Sequence, residues 1–236
     1  METEVQQLTT QLADSFARSS TAGTHRWLWA PSMQLLAKGE PVTAEDLAAT
    51  TRRPVETVRR ALSALPSVEL DAHGRVIGNG ITLHPTPHRF TVDGRHLYTW
   101  CALDTLMFPA VLDQVAHVQS PCPATGDPVH LTVYPDRVED VEPAPAVVSI
   151  VIPDDVSDVR AAFCNQVHFF VSPQAAQPWL DQHPGTTVLS VQDAFAVGRQ
   201  ITATHVEPPT DQAATDPVPG REPLAPTAPP PPGRRY

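Results

Sequence analysis

Apolar residues recur at helical spacing near the start of the chain. In residues 3–18 they are Val5, Leu8, Leu12 and Phe16, and in residues 25–38 they are Trp27, Leu28, Leu35 and Leu36. Apolar positions three and four residues apart form one face of a helix, and the Gly39 that follows is a common helix stop. The pattern predicts two helices.

The following segment has the start signals of two shorter helices. Thr43 and Asp46 have the spacing of a capping box, so we predict a helix from there to about Thr51. Pro54 is placed where a first helical turn tolerates proline, and a second helix should run from it to about Leu65. This predicts a helix-turn-helix.

Strand-forming residues come directly after these helices. Residues 68–77 surround a turn at 71–74, and residues 81–83 can add a further strand. The order helix, turn, helix, hairpin is typical of a winged helix-turn-helix. We therefore predict a winged-helix-like domain over residues 1–85.

The remainder mixes strands and helices, which predicts an α+β core domain over residues 86–206. Asp93-Gly94 is a strong signal for a tight hairpin turn. Residues 100–112 read as a helix that Pro109 should kink or end. We also predict strands at 115–119, 129–134, 146–152 and 167–171, and helices at 154–163, 174–182 and 191–200.

Residues 207–236 are dominated by proline, alanine, threonine and charged residues. Such a segment buries too little apolar area to offset the entropy lost on ordering. We predict a disordered, proline-rich C-terminal tail.

Composition limits the classes of function. The chain has 236 residues, three cysteines without a Cys-x-x-Cys pair, and a formal net charge of −10. An acidic chain is a poor partner for nucleic acid, and no apolar run reaches the length of a membrane span. Together with an acidic N-terminus that lacks a signal-peptide core, this predicts a cytoplasmic protein without nucleic-acid or membrane partners.

Two cysteines are the strongest candidates for chemistry. Cys101 and Cys164 each close an apolar, aromatic segment, and Asp104 lies three residues after Cys101, which would place thiol and carboxyl on one helical face. Thiolates select soft metals. The residues alone leave open that both cysteines are small core residues and that Asp104 is a surface charge.

The other candidates favour structural roles. Prolines flank Cys122 and offer its thiol no activating base, and His168 alternates with core aromatic residues. A zinc site built from all three cysteines would have spacings unlike compact zinc motifs.

Several segments resemble the organomercurial (alkylmercury) lyases. The resemblance is carried by Arg-His-Leu-Tyr-Thr-Trp-Cys-Ala-Leu-Asp-Thr-Leu-Met-Phe-Pro at 95–109, Cys-Pro-Ala-Thr-Gly at 122–126, Val-Arg-Ala-Ala-Phe-Cys at 159–164 with Val-His-Phe-Phe at 167–170, and Asp-Ala-Phe at 193–195. The likeness covers about residues 30–200. It implies an enzyme that cleaves carbon–mercury bonds and releases a hydrocarbon and Hg(II).

The resemblance also implies roles for individual residues. Cys101 and Cys164 would be the two catalytic, mercury-binding thiols, Asp104 the proton-handling carboxyl, and Cys122 structural. The family commonly has another cysteine where this chain has Asn165. No cofactor is expected, and Hg(II) should leave by exchange with excess cellular thiol or to a partner such as mercuric reductase.

The expected mechanism is protonolysis of the carbon–mercury bond. Desolvation by an apolar wall should raise the pKa of the Asp104 carboxyl. The wall is predicted to comprise Trp100, Phe108, Phe169 and Phe170. The N-terminal module is expected to pack on the core and to help cover the site.

Two rival functions follow from the same residues. A winged-helix, metal-responsive DNA-binding regulator could use the arginine pairs 52/53 and 59/60 against phosphates, although Glu56 would repel them. A non-catalytic mercury-binding protein would keep the thiols but would have no use for Asp104. A proton donor beside the ligands therefore favours the lyase.

Overall fold

The computed structural model describes residues 2–18, 25–153 and 158–205. The α-helices are α1 Glu2–Arg18, α2 Trp29–Leu36, α3 Ala44–Thr51, α4 Val55–Ser63, α5 Ala102–Leu112, α6 Val159–Ala162, α7 Pro173–Gln182 and α8 Val191–His205, with 3-10 turns at Arg26–Leu28 and Cys164–Gln166. The strands are β1 Glu69–Leu70, β2 Val76–Asn79, β3 Ile81–Thr82, β4 His88–Val92, β5 Arg95–Thr99, β6 Ala116–Pro121, β7 Pro128–Val133, β8 Val138–Glu142, β9 Val147–Val151, β10 Phe169–Phe170 and β11 Thr186–Ser190.

The strands form two antiparallel sheets. The larger sheet has the order β1-β2-β3-β5-β4-β6-β7-β8, and the smaller has the order β10-β9-β11. The helix α5 packs between the large sheet and α8, and it supplies much of the main apolar core. This mixed architecture agrees with the predicted α+β class, and no described helix is long and apolar enough to cross a membrane.

The predicted cap at the start of the helix-turn-helix is confirmed. The Thr43 hydroxyl accepts the Asp46 N–H at 3.0 Å, and Asp46 Oδ2 accepts the Thr43 N–H at 3.0 Å. These two bonds satisfy donors that the first turn of α3 would otherwise leave unpaired. Gly39, with a positive φ of 83°, follows the end of α2 as expected.

Both predicted hairpins are present. The turn between β4 and β5 holds Asp93 at φ 48° and Gly94 at φ 73°, the left-handed pair that a tight hairpin favours. The hairpin β1–β2 continues through β3 into β5, so the large sheet runs across the predicted boundary at residue 85. That boundary, the one at 206 and the winged-helix assignment stay predictions.

The start of α5 differs from the prediction. The helix begins at Ala102 rather than Trp100, because Cys101 has an extended backbone with φ −146° and ψ 173°. It also continues through Pro109 to Leu112, so proline does not end it. The Pro109 carbonyl still accepts the Gln114 N–H at 3.1 Å, and the left-handed residue Asp113 forms the helix end.

Sequence patterns missed two strands and misplaced the bounds of several helices, among them α8, which was predicted over 191–200 and extends to His205. The strand β8 alternates two half-buried valines with exposed acidic residues at the sheet edge, and β11 begins with two threonines. Within 154–163, the helix described is the single turn α6, and Cys164 begins a 3-10 turn instead of closing the helix. Residues 154–157 and the predicted tail at 207–236 lie outside the described residues.

Candidate functional site

Cys101 and Asp104 meet at the N-terminus of α5. Cys101 is the cap residue, and its backbone N–H donates to Asp104 Oδ2 at 3.1 Å in a capping-box arrangement. The prediction that the two share a helical face was wrong, since Cys101 precedes the helix. The cap brings them together instead, because the third helical residue reaches back to the cap.

Two backbone hydrogen bonds and one from a side chain hold this cap in the core. The Trp100 N–H donates to the Gly80 carbonyl at 3.0 Å, and the Ala102 N–H donates to the Val167 carbonyl at 3.1 Å. The Thr99 hydroxyl donates to the Cys101 carbonyl at 2.9 Å. The bond to Val167 ties the cap directly to the chain that follows Cys164.

Cys164 comes to the same place from a distant part of the sequence. Cys164 lies between the single-turn helix α6 and strand β10. It is 4% exposed, and Cys101 is 0% exposed. The Val167 N–H donates to the Cys164 carbonyl at 3.2 Å and closes the 3-10 turn. This turn and the hydrogen bond from the Ala102 N–H to the Val167 carbonyl together direct the Cys164 thiol toward the Cys101 thiol.

The three predicted site residues form one cluster. The Sγ atoms of Cys101 and Cys164 and a carboxylate oxygen of Asp104 all lie within 4.8 Å of one another. Within the described ranges, this is the one group of cysteine, histidine and acidic side chains that could hold a metal ion. Two sulfurs and one oxygen in an apolar surrounding suit a soft, thiophilic metal.

Burial sets the proton affinity of the carboxyl. Protein atoms surround it closely, and this desolvation raises the pKa of Asp104 to about 7, although hydrogen bonds from the thiol and the N–H of Cys101 oppose the rise. Near neutral pH the carboxyl can therefore both accept and donate a proton.

Both thiols are held in the protonated form. Burial, the hydrogen bond with Cys164 and the charge of Asp104 raise the pKa of Cys101 well above its usual value. The hydrogen bond from Cys101 lowers the pKa of Cys164, yet burial and the Asp104 charge outweigh it and the pKa is raised. The thiols must therefore pass on their protons when they bind a metal.

The predicted apolar wall is divided between two places. Trp100 and Phe169 are buried in the main core beside the site segments. Phe108 makes an edge contact with Trp29 at 6.1 Å between ring centroids. Phe170 packs instead in a smaller cluster with Cys122, Val147 and Ala176.

Cys122 and His168 lie outside the cluster, as predicted. Cys122 caps a tight turn, in which the Gly126 N–H donates to its carbonyl at 2.8 Å. Its burial disfavours the thiolate, but hydrogen bonds from Val171, Thr125 and Ala124 lower the pKa, an effect that the flanking prolines did not suggest. His168 Nε2 lies 3.0 Å from the Asn165 carbonyl.

Sequence reasoning missed two charged residues beside the site. Glu69 accepts a hydrogen bond from Trp100 Nε1 at 2.9 Å and also pairs with Arg160. The positive charge of Arg160 favours the thiolate of Cys164. No local motif marks Glu69, since its partners are 31 and 91 residues away along the chain.

Comparisons with known proteins agree along the whole described chain. A family model described as "Alkylmercury lyase" matches residues 81–203, and one described as "Helix-turn-helix domain of alkylmercury lyase" matches residues 7–80. The curated alkylmercury lyase of Bacillus cereus is 55% identical over 207 residues, which cover 88% of this chain and 95% of that protein.

Other relatives carry the same name. The alkylmercury lyase of Streptomyces lividans is 56% identical over 202 residues, covering 86% of this chain and 94% of that protein. That of Pseudomonas putida is 45% identical over 189 residues, covering 78% and 89%. The crystal structure of the mercury-bound form of MerB2 has the same fold, with a TM-score of 0.67 at 23% identity over 86% of this chain and 100% of that one. Since both family models and several close relatives agree, the chain belongs to the alkylmercury lyase family.

Proposed function

We propose that this enzyme cleaves the carbon–mercury bond of organomercury compounds with Cys101, Cys164 and Asp104. The observation that carries the proposal is the meeting of two buried sulfurs and one carboxyl within 4.8 Å. Family membership supports the reaction class, and the cluster supports the assignment of residues.

The first half of the reaction is an exchange of thiols on mercury. The substrate enters as an organomercury bound to a small thiol. Cys101 sulfur bonds to mercury, its proton passes to Asp104, and the small thiolate leaves. The short reach between the Cys101 thiol and the Asp104 carboxyl allows this transfer without water.

The second half breaks the carbon–mercury bond. Cys164 sulfur then bonds to mercury, and its proton passes to the small thiolate that Cys101 displaced from mercury, which diffuses away as the neutral thiol. Two sulfur ligands donate electron density through mercury to carbon, which then accepts the proton from Asp104. The carbon keeps the bonding electron pair and leaves as a hydrocarbon, and Hg(II) stays on both sulfurs.

Product release requires ligand exchange. Two thiolates bind Hg(II) tightly, so excess cellular thiol, or a thiol-bearing acceptor such as mercuric reductase, is proposed to remove it. Asn165 supplies no third sulfur next to Cys164. We propose no resident cofactor, because mercury arrives with the substrate.

The remaining regions are assigned supporting roles. We propose that residues 1–85 form a winged-helix-like scaffold on the catalytic core at 86–206. The absence of a membrane-spanning helix from the described residues and the net charge of −10 support a cytoplasmic enzyme that does not bind nucleic acid.

Gas chromatography of the hydrocarbon tests the proposal. Purified protein with phenylmercury and excess thiol should release benzene, whereas Cys101→Ser and Cys164→Ser should release none above the uncatalysed rate. Cys122→Ser, which changes a buried thiol outside the cluster, is the matched control and should keep benzene release. Normal release by either cluster variant would contradict the assignment.

A further inference from the structure

Glu69 connects four side chains at the edge of the site. Its side chain is 13% exposed, and Oε1 accepts the Trp100 indole N–H at 2.9 Å and pairs with Arg160 Nη1. Oε2 accepts the Thr82 hydroxyl at 2.7 Å and lies 3.4 Å from His84 Nδ1. A largely buried carboxylate with this many partners is confined to one orientation.

The two partners on Oε1 belong to the two segments that carry the thiols. Trp100 directly precedes Cys101, and Arg160 lies four residues before Cys164 in α6. The Arg160 guanidinium also lies 5.5 Å from the centroid of the Trp100 ring. One carboxylate oxygen therefore joins the Cys101 segment to the Cys164 segment.

The Cys164 segment depends on such contacts. The helix α6 has a single turn of four residues, and an isolated turn of this length is not stable by itself. A second link lies beside the first, where the Ser67 hydroxyl donates to Asp158 Oδ1 at 3.4 Å. Strand β1 and the residues that lead into it thus contact α6 and its N-cap residue at two points.

The neighbouring backbone leaves space for this carboxylate. A Cβ added to Gly78 would lie 2.6 Å from Glu69 Oε2 and 2.9 Å from Thr82 Oγ1. Any larger residue at 78 would have to displace the Glu69 carboxylate or its hydroxyl partner. The lack of a side chain at Gly78 in β2 thus leaves the space that the Glu69 carboxylate occupies.

We propose that Glu69 is a positioning residue that sets the separation of the Cys101 and Cys164 thiols, through Trp100 on one side and Arg160 on the other. The proposal rests on the function proposed above for the two thiols. Mercury bridged by two sulfurs needs both at bonding distance at once, so a small displacement of one segment weakens two-point binding and slows the reaction.

The substitution Glu69→Gln tests the role with little change in size. Glutamine can still accept the indole N–H, but it cannot form an ion pair with Arg160. We expect kcat for benzene release from phenylmercury to fall about tenfold or more, since small misplacements of reacting groups have effects of this size. KM should change less than kcat.

A second measurement follows the thiol pair directly. Hg(II) bound by the two thiolates stays with the protein on a desalting column, and 2-mercaptoethanol removes it. Glu69→Gln should lose protein-bound Hg(II) at about tenfold lower competitor concentration, in proportion to the loss of two-point binding. The matched control is Glu139→Gln, an exposed carboxylate that accepts Arg137 Nε at 2.8 Å, and it should behave like the parent.

The outcomes separate this inference from the proposed function. If the parent protein releases no benzene, the proposed function is contradicted. The Hg(II) competition would still test the positioning role of Glu69. Parent-like kcat and Hg(II) retention in Glu69→Gln would overturn the positioning role. If Glu69→Gln melts well below the parent, Arg160→Gln and Gly78→Ala are used in its place. Parent-like kcat and Hg(II) retention in both would likewise overturn the positioning role of Glu69.

A double variant distinguishes positioning from general destabilisation. If Glu69 acts through Arg160, then Glu69→Gln with Arg160→Gln should be no slower than the slower single variant. Multiplied losses would mean that the two residues act separately, which contradicts the proposed link.

Discussion

At the scale of single residues, the chemistry depends on the surroundings of one carboxyl. Asp104 is a helix-capping residue and at the same time the proposed proton carrier, because the cap directs its carboxyl back toward Cys101. Desolvation brings its pKa to about 7. An ordinary capping aspartate on the surface would be ionised at neutral pH and could not deliver a proton.

The substitution Asp104→Asn should separate binding from protonation. Asparagine can still accept the Cys101 N–H, so the cap is kept and the acid is lost. We expect kcat for benzene release to fall by about 10²- to 10⁴-fold, the usual contribution of a general acid, with Hg(II) binding retained. Asp113→Asn changes the exposed aspartate that ends the same helix and is the matched control. Equal rates for parent and Asp104→Asn would exclude Asp104 as the proton donor.

The same residue predicts how stability depends on pH. The pKa of Asp104 is raised from 3.8 to about 7 in the folded state, so folding favours the neutral carboxyl. Its contribution is fully present below pH 3.8 and is lost as the pH rises to about 7.

Relative to Asp104→Asn, the free energy of unfolding of the parent should therefore fall by up to about 1.4 kcal/mol per pH unit in that window. Urea unfolding of both proteins in reduced, metal-free form measures the difference. A difference that does not change between pH 4 and 7 would contradict the raised pKa.

At the scale of elements, short caps and turns position the site more than long helices do. The turn at Gly80 joins β2 to β3, and its carbonyl accepts the N–H of Trp100 just before the cap of α5. Gly80 has a φ of +88°, and Phe108 of α5 packs directly against it. The N-terminal hairpin and α5 therefore meet at a point where a side chain does not fit.

Gly80→Ala should consequently be much more disruptive than Gly74→Ala. Both glycines have positive φ, but a Cβ at 80 would lie 2.6 Å from Phe108 Cζ, whereas a Cβ at 74 would have no atom within 4 Å. We expect Gly74→Ala to cost about 1–2 kcal/mol of unfolding free energy from the backbone alone. Gly80→Ala should add a packing cost of about 1–3 kcal/mol. Equal losses in urea unfolding would mean that the Phe108 contact relaxes freely.

At the scale of the whole molecule, the helix-turn-helix belongs to the architecture of a lyase. Its hairpin continues into the large sheet, and Glu69 on that hairpin reaches both site segments. Two of the arginines that could face phosphates already have partners. Arg59 pairs with Glu45 at 2.6 Å and Glu56 at 2.8 Å, and Arg53 lies 4.3 Å above the Trp27 ring.

We therefore expect no binding of random duplex DNA in a gel shift at physiological salt. With a net charge of −10 and Arg59 paired with two glutamates, the protein should bind more weakly than about 100 µM, the weak end of non-specific binding. The double variant Glu45→Gln with Glu56→Gln exposes positive charge and is the control for the assay. A retarded band with the parent at micromolar protein would favour the DNA-binding regulator.

Much of the fold, and the three residues that meet in the cluster, could be predicted from the chain itself. Local signals explain this success: the Thr43–Asp46 cap, the Asp93-Gly94 turn and the apolar periodicity of α1 depend only on near neighbours. The family resemblance supplied the pairing of Cys101 with Cys164, which no spacing rule contains.

Only the tertiary structure decided how those residues work together. The cap geometry that joins Cys101 to Asp104, the burial that raises the pKa of Asp104 and the link from Glu69 to Arg160 all depend on chain segments far apart in sequence. Desolvation and long-range ion pairs arise from packing, which has no period along the chain. For this reason the sequence by itself determined which groups are present, and the fold determined their proton affinities and their distances from one another.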